Sequence, residues 1–193
     1  MSRSPRTWKP TPSPTVAAYQ LKVELIGSDP PIWRRFCIAA DATLADLHFV
    51  LQVVMGWTDS HLHGFEIGKA RYGVREPGAW VRVKDERTAL LSQALPKTRA
   101  SFFYEYDFGD SWEHRIVVEK IERDVLRKDL PVCIEGERAC PPEDCGGIGG
   151  FYRTLEIVAD RRAPEHLEMK EWLGEYEPET FDLDAVNAGL RSL

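Results

Sequence analysis

A run of alternating aromatic residues, followed by a glycine-containing turn, constrains the fold of this 193-residue chain more than any other feature. Aromatic side chains occupy every second position from Phe102 to Phe108, which is typical of one face of a β-strand. The even-numbered residues from Trp112 to Val118 would line the same face of a returning strand. The pattern therefore predicts a β-hairpin with a buried aromatic face and a polar tip.

The length of the turn decides which residues of this hairpin face each other. The two apolar faces coincide only if the loop has an odd number of residues, and the simplest such loop is residues 109–111. Phe108 would then lie opposite Trp112. In the same register, Tyr106 would lie opposite His114. We favour the odd loop because an even loop would divide the aromatic face.

Composition indicates an ordinary globular protein, with 43% hydrophobic residues. Residues 1–18 are rich in Ser, Pro and Thr without apolar periodicity, which predicts a flexible tail. The remainder, residues 19–193, is predicted to form a single domain. No apolar run is long enough for a membrane span, and no signal-peptide segment follows Met1. The predicted location is therefore the cytoplasm.

The chain is acidic, with a net charge of −6, and the acid is concentrated between Ala163 and Leu193. Duplex binding requires a basic surface that neutralises phosphates. The basic residues are scattered over the tail and residues 33–35, so general nucleic-acid binding is disfavoured. The expected partner is a protein or a small molecule.

The order of predicted elements indicates an α+β fold. Two strands, at residues 19–26 and 32–38, precede a helix at 44–55 whose apolar residues recur at helical spacing. This beginning is reminiscent of a β-grasp. A strand at residues 61–67 and the aromatic hairpin follow, and the last third of the chain has helical spacing. Strands first and helices last predict a mainly antiparallel sheet with packed helices and a helical C-terminal part.

One hypothesis for the chemistry is a metal site at two histidines. His61 and His63 are two positions apart, so on a strand their side chains point the same way. With Asp110 or His114 brought near by the sheet, they could bind zinc or another transition metal and leave a position for an activated water. The alternative is that these histidines form hydrogen bonds at a sheet edge without a metal.

A second hypothesis concerns three cysteines in a loop that also contains Pro141-Pro142 and Gly146-Gly147. Cys133, Cys140 and Cys145 could hold zinc with a nearby histidine, since four-residue spacers are common in zinc thiolate sites. The alternative is that the thiols are separate and fill the core of the loop.

The polar side chains of the hairpin tip and of the Pro-Pro-Glu-Asp segment form a candidate site. Function often resides on loops that a rigid scaffold holds in place. The candidate residues are Asp107, Asp110, Trp112, His114, Glu143 and Asp144.

Several blocks of the sequence together resemble one family. They are residues 47–57, His-Leu-His-Gly-Phe at 61–65, Tyr104–His114, residues 136–147 with Pro-Pro-Glu-Asp-Cys-Gly-Gly, and Phe-Asp-Leu at 181–183. In this order they are similar to the plasmid Ri open-reading-frame-three-like family, also described as the passenger (TnpR) protein of an insertion element. The resemblance covers about residues 19–193. It implies a compact α+β domain associated with plasmids and transposons, without a known catalytic activity.

Carried over to matching positions, the resemblance also implies a set of motif residues. They are His61, His63, Asp107, Gly109, Asp110, Trp112, His114, Pro141, Pro142, Glu143, Asp144 and Gly147. The chain carries neither a serine-recombinase nucleophile with its arginine cluster nor a basic helix-turn-helix, so the passenger name does not indicate a mechanism.

Two functional classes are consistent with the sequence. The first is a non-enzymatic accessory or binding module linked to mobile elements, with a polar site at the 107–114 tip and the 140–147 loop. The second is a metal-dependent hydrolase that uses His61, His63, Asp110 and His114, with Glu143 or Asp144 as the base. A purely structural zinc loop is a third hypothesis.

Overall fold

A computed structural model describes residues 14–74 and 83–193, and all structural statements below refer to them. Eight strands form one sheet in the order β5-β4-β3-β6-β7-β1-β2-β8. The strands are β1 (Thr15–Leu25), β2 (Trp33–Ala39), β3 (His63–Ile67), β4 (Ala70–Gly73), β5 (Lys84–Asp85), β6 (Ser101–Tyr106), β7 (Trp112–Leu126) and β8 (Val132–Glu137). The helices are α1 (Leu44–Met55), α2 (Leu91–Ala94), α3 (Gly147–Ala159), α4 (His166–Leu173) and α5 (Leu183–Leu190), with short 3-10 turns at Glu86–Thr88 and Arg127–Asp129.

The sheet is mainly antiparallel, as the sequence predicted, and only the short β4–β5 pair is parallel among the described strands. The α+β prediction is therefore confirmed. The opening hairpin of β1 and β2 is followed by α1, and the other neighbour of β1 is β7, which also runs antiparallel to it. None of the helices in the described ranges is long and apolar enough to cross a bilayer.

One face of the sheet forms the core and the other carries charges. Tyr104, Trp112 and Phe36 are fully buried on the inner face, where the apolar side of α1 also lies. On the opposite face Arg35 of β2 pairs with Glu119 of β7 at 2.7 Å. Because strand side chains alternate, one sheet can be apolar towards its helix and charged towards solvent.

Local signals define the ends of α1. Thr43 and Asp46 form a reciprocal capping box at its start, which satisfies backbone N–H groups that have no partner within the helix. Gly56 ends the helix with φ of 86°, a left-handed conformation that glycine adopts without steric cost. Gly56 leads the chain into the loop at residues 57–62, which contributes to the candidate site.

Two boundaries differ from the sequence-based prediction. β1 begins at Thr15, so residues 15–18 of the predicted tail lie in a strand that pairs with β7. Residues 1–13 of that tail lie outside the described ranges. β3 begins at His63 rather than at residue 61, because the backbone before it bends into a loop in which Ser60 N–H donates to the Tyr106 hydroxyl.

The aromatic hairpin is present, with a longer loop than predicted. Its loop spans residues 107–111, so Tyr106 pairs with Trp112 and Tyr104 pairs with His114. The odd parity was correct, but the predicted register was wrong by two residues. Phe102, Tyr104 and Tyr106 remain on the buried face, whereas Phe108 lies in the loop and is 53% exposed. The strand ends early because Asp107 is left-handed, with φ of 56°, and its carbonyl accepts a hydrogen bond from Ser111 N–H.

Candidate functional site

Three loops meet at one end of the sheet, and we call their meeting place the junction. They are residues 57–62 after α1, the hairpin loop 107–111, and residues 141–147 before α3. Trp57 joins the first loop to the third by donating from its indole nitrogen to the Pro141 carbonyl at 3.0 Å. The hairpin loop is joined to the first loop by a hydrogen bond from Asp107 N–H to the Leu62 carbonyl at 2.8 Å.

A hydrogen bond between Tyr106 and Glu143 fixes the floor of the junction. The Tyr106 hydroxyl donates to Glu143 Oε1 at 2.5 Å and accepts from Ser60 N–H at 2.9 Å. The other Glu143 oxygen accepts from the Thr58 hydroxyl at 2.6 Å. Burial and the neighbouring Glu143 raise the pKa of Tyr106, so its phenol remains a proton donor at neutral pH. Glu143 therefore links its own loop to the end of β6 and to the loop at residues 57–62.

Asp110 positions the start of α3. Its carboxylate accepts a hydrogen bond from Gly146 N–H at 3.0 Å, and a negative charge is favourable at a helix N-terminus. The backbone of the same residue approaches the helix so closely that a Cβ on Gly147 would lie 2.3 Å from the Asp110 carbonyl oxygen. The predicted polar residue Asp110 therefore holds the two loops together.

His61 lies between two carboxylates at the open side of the junction. Its Nδ1 atom is 3.6 Å from Asp107 Oδ2, and its Nε2 atom is 3.2 Å from Asp144 Oδ1. Asp107 Oδ1 accepts from Gly109 N–H at 2.9 Å, so only Oδ2 faces the imidazole. The Asp144 side chain is 74% exposed and that of His61 is 27% exposed. One donor atom from each of the three residues lies within 4.8 Å of the other two.

Several residues of this region adopt backbone conformations that are unfavourable for side chains. Asp59, Asp107, Ser111 and Asp144 have φ values between 52° and 60°. Asp is among the residues that tolerate this conformation best, and such conformations concentrate at functional sites.

His63 points away from His61 and belongs to a different cluster. Its ring stacks on His48 of α1, and its Nε2 atom lies 2.9 Å from a buried carboxylate, Glu86. His48 Nε2 lies 2.8 Å from Asp59 Oδ1, and its Nδ1 lies 2.8 Å from the Tyr104 hydroxyl. The sequence-based interpretation missed His48 and Glu86. A histidine among the apolar positions of the predicted α1 was the available signal for the former.

Trp112 and His114 lie inside the core. Their ring nitrogens, Trp112 Nε1 and His114 Nε2, are buried without a hydrogen-bond partner among the described residues. The other nitrogen of His114 is 3.3 Å from the Tyr104 carbonyl oxygen. Burial lowers the pKa of His114 to about 4, so its ring is neutral at physiological pH. Neither residue reaches the junction surface.

The three loop cysteines occupy separate environments. The Cys133 thiol is buried and donates to the Arg35 carbonyl at 3.4 Å, whereas the Cys140 sulfur lies 3.6 Å from Met55 Sδ. Burial raises the pKa values of Cys140 and Cys145 to about 11, which favours thiols over metal-binding thiolates. Within the described part of the chain, no group of three potential metal ligands includes a cysteine. The geometry thus favours the alternative of separate thiols.

The structure sorts the predicted site residues into three groups. His61, Asp107 and Asp144 come together at the open side of the junction, with Glu143 beneath them. Asp110 caps a helix, while His63, His114 and Trp112 face the core. The sequence anticipated that the tip and the Pro-Pro-Glu-Asp loop are adjacent, and the contact between Asp110 and Gly146 makes them so.

Comparison with known proteins identifies close relatives of the whole domain. A family model described as plasmid pRiA4b ORF-3-like protein matches residues 17–185. The uncharacterized protein y4hQ of Sinorhizobium fredii is 36% identical over 175 residues, which cover 90% of this chain and 87% of y4hQ. The crystal structure of MM3350 from Methanosarcina mazei Go1, a protein of unknown function, matches with a TM-score of 0.78 and 34% identity, covering 87% of this chain and 96% of MM3350.

Proposed function

Since the chain belongs to the plasmid pRiA4b ORF-3-like protein family, whose matched members carry no assigned activity, we propose a function from the junction itself. We propose that the protein is a non-enzymatic binding module that holds a cationic group of its partner at the junction. The observation that carries the proposal is the arrangement of two carboxylates around His61, that of Asp144 with its side chain exposed and that of Asp107 with its side chain only 12% exposed.

The charge of the junction supports a cationic ligand. Among the described residues, no lysine or arginine nitrogen lies within 4.0 Å of the carboxylate of Asp107 or Asp144. Elsewhere on the surface carboxylates commonly have such partners, for example Asp41 with Arg127 and Glu119 with Arg35. Two carboxylates without a lysine or arginine partner attract a positively charged group, because the Coulomb interaction of opposite charges is favourable at short range.

Exposed apolar side chains border the same place. Phe108 at the hairpin tip is 53% exposed, and Leu62 in the neighbouring loop is 54% exposed. A Cβ on Gly64 would lie 3.7 Å from the Phe108 ring, so the ring lies over the first residues of β3, next to the junction. A lysine or arginine side chain suits this combination, since its aliphatic part can contact apolar surface while its charged end reaches a carboxylate.

The geometry does not favour the hydrolase hypothesis. That hypothesis requires His61, His63, Asp110 and His114 to converge. The structure places His61 and His63 in different clusters, uses Asp110 as a helix cap, and buries His114 completely. A binding role needs only His61, Asp107 and Asp144, which the structure brings together at the junction.

Chemical-shift mapping on the 15N-labelled full-length protein would test the proposal. The probes are N-acetyl-lysine methylamide and N-acetyl-arginine methylamide at millimolar concentration, in the presence of EDTA, with N-acetyl-glutamate methylamide as the charge control. We expect the cationic probes to shift amide signals of residues 58–62, 107–111 and 143–147. The glutamate probe should leave these signals in place.

Two variants sharpen the test. Asp144→Asn removes an exposed charge and should weaken binding of the lysine probe by up to about fivefold, the range of a surface ion pair. Asp160→Asn, at the opposite end of α3 and about 20 Å from its first residue, should bind like the wild type. Equal shifts from the glutamate probe, or binding unaffected by Asp144→Asn, would contradict the proposal.

A further inference from the structure

We propose that the junction is also a divalent transition-metal site, with His61, Asp107 and Asp144 as its ligands. The inference rests on the proposed function because it assigns a second cationic ligand to the same carboxylates. The two ligands are nevertheless tested separately, since metal binding is measured without the lysine probe and probe binding is measured in EDTA.

The possible donor atoms lie around the imidazole ring of His61. One atom each of His61, Asp107 and Asp144 lies within 4.8 Å of the other two. Ligands of one zinc ion are about 3.0–3.5 Å apart when the metal–ligand distances are about 2.0–2.2 Å. Asp107 Oδ2 lies beside Nδ1 of His61 and Asp144 Oδ1 lies beside Nε2. One ion binds only one of these nitrogens, so the Asp144 carboxylate must move to the Nδ1 side to share an ion with Asp107. Asp144 can make this movement because its side chain is exposed and forms no hydrogen bond within the described part of the chain.

Asp107 is prepared as a ligand by its own loop. Its Oδ1 atom accepts the Gly109 N–H, which fixes the orientation of the carboxylate. Its Oδ2 atom faces His61 at 3.6 Å, beyond hydrogen-bonding distance. Outer hydrogen bonds of this kind orient ligands in metal sites.

His61 makes no hydrogen bond among the described residues that would have to break when the ring binds an ion. Its Nε2 atom is buried and lacks a hydrogen bond of acceptable geometry, and its contact with Asp144 Oδ1 at 3.2 Å is an ion pair only.

The ligand types select the class of metal. One imidazole nitrogen with two carboxylate oxygens suits Mn²⁺, Fe²⁺ or Zn²⁺, whereas Ca²⁺ and Mg²⁺ prefer oxygen ligands alone. Three protein ligands leave coordination positions for water or for a group of a partner on the side where Asp144 is exposed. The two carboxylates would neutralise the charge of the ion.

The second group of donors, around His48 and His63, does not suit a metal in the same way. Their rings are parallel, with an interplanar angle of 5° and centroids 3.4 Å apart. A metal lies close to the plane of each imidazole that binds it, and two parallel planes at this distance share no such point. Both nitrogens of His48 are also engaged, one with Tyr104 and one with Asp59.

Metal titration of the full-length protein tests the site. The protein is purified without a metal-affinity tag, stripped with a chelator and titrated with MnCl₂ and ZnCl₂ by isothermal calorimetry, with Mn²⁺ EPR as a second readout. We expect one equivalent of metal per chain. Loss of one ligand in Asp144→Asn or His61→Gln should weaken binding by at least about tenfold, whereas Asp160→Asn should not change it.

Four results would overturn the metal site. They are the absence of binding in the titration, binding unaffected by both ligand variants, binding weakened equally by Asp160→Asn, and zinc binding abolished by Cys140→Ser. Asp144→Asn keeps the test valid if His61→Gln does not fold, because the Asp144 side chain is exposed. The lysine probe is measured in EDTA, so probe binding without metal binding would leave the proposed function intact and reject only the metal.

Discussion

The imidazole rings of His48 and His63 lie parallel in the interior of the protein, with their centroids 3.4 Å apart. Each ring contacts a carboxylate, Asp59 for His48 and Glu86 for His63, at 2.8 Å and 2.9 Å respectively. The stack joins α1 to β3. It therefore connects the helix that covers the sheet to the strand that begins directly after the junction loop.

A closed circuit of hydrogen bonds surrounds His48. Asp59 N–H donates to Gln52 Oε1, which orients the Gln52 amide. The amide nitrogen of Gln52 then donates to the Tyr104 hydroxyl at 3.0 Å. That hydroxyl can donate to His48 Nδ1 at 2.8 Å, and His48 Nε2–H can donate to Asp59. Every donor in the circuit finds an acceptor when His48 is neutral. Burial and the adjacent His63 lower the pKa of His48, which favours the same state.

Removal of the Tyr104 hydroxyl should destabilise the protein through this circuit. Tyr104→Phe leaves His48 Nδ1 and the Gln52 amide without a partner in a buried site, which costs about 1–3 kcal/mol of unfolding free energy. Urea unfolding monitored by tryptophan fluorescence measures this change. Tyr152→Phe is the control, because its hydroxyl bonds to the exposed backbone of Asp29, where water can replace it. Equal effects of the two changes would show that the circuit contributes no particular stability.

The stability of the protein should decrease in mild acid because of His114. Its pKa is about 4 in the folded protein and about 6.5 when unfolded, so the unfolded chain binds the proton at higher pH. The contribution of the neutral ring is complete above pH 6.5, decreases as the pH falls to 4, and amounts to a loss of about 2 kcal/mol between pH 7 and 5.

Comparison with His114→Gln isolates this contribution. The variant should be less stable than the wild type at pH 7, because the core packing changes, but its stability should depend less on pH between 7 and 5. The unfolding free energies of both proteins are measured by urea titration at the two pH values. Identical pH dependence in the two proteins would contradict the assignment to His114.

The buried guanidinium of Arg34 should not be replaceable by lysine. Arg34 donates to the carbonyls of Val54, Glu137 and Arg138 at 2.6–2.9 Å and is almost fully buried. It thereby ties the end of α1 to the end of β8. An ammonium group cannot reproduce this fork, so Arg34→Lys should lower the unfolding free energy by at least about 2 kcal/mol.

The neighbouring Arg35 offers a matched control for this substitution. It lies on the opposite face of β2, where its partly exposed guanidinium donates to Glu119 through two nitrogens and pairs with Glu135. Arg35→Lys should lower the unfolding free energy by less than Arg34→Lys does, because water reaches this pair and can replace the hydrogen bonds that lysine does not form. Denaturant unfolding of both variants provides the measurement. A larger loss in Arg35→Lys than in Arg34→Lys would refute this account of the buried guanidinium.

Two glycines of α3 should respond in opposite ways to alanine. A Cβ on Gly147 would lie 2.3 Å from the Asp110 carbonyl oxygen at a residue with φ of 67°, so Gly147→Ala should cost more than about 3 kcal/mol or prevent folding. Gly149 is exposed and has no heavy atom within 4 Å of such a Cβ. Gly149→Ala should therefore raise the unfolding free energy by about 0.5–1 kcal/mol. Thermal melting of the two variants tests the pair, and a stable Gly147→Ala protein would contradict the close contact.

The sequence by itself determined the class of fold and the face of each main element. The alternation of aromatic residues predicted β6 and β7, and the apolar spacing predicted α1. These signals are reliable because periods of two and 3.6 residues are local properties of strand and helix geometry. The hypothesis of a polar site shared by the hairpin tip and the Pro-Pro-Glu-Asp loop came from the residue types of these loops and not from periodicity, and it did not specify which side chains meet there.

Only the tertiary structure decided which polar groups meet. His61 and His63 separate because β3 starts at His63, so residue 61 belongs to a loop and the strand alternation does not apply to it. The hairpin loop is longer than predicted because Asp107 and Ser111 adopt left-handed conformations, and a hydrogen bond from Asp107 N–H to the Leu62 carbonyl ties this turn to another loop. Loop conformations depend on contacts between residues distant in sequence, and the composition of a local segment does not encode those contacts.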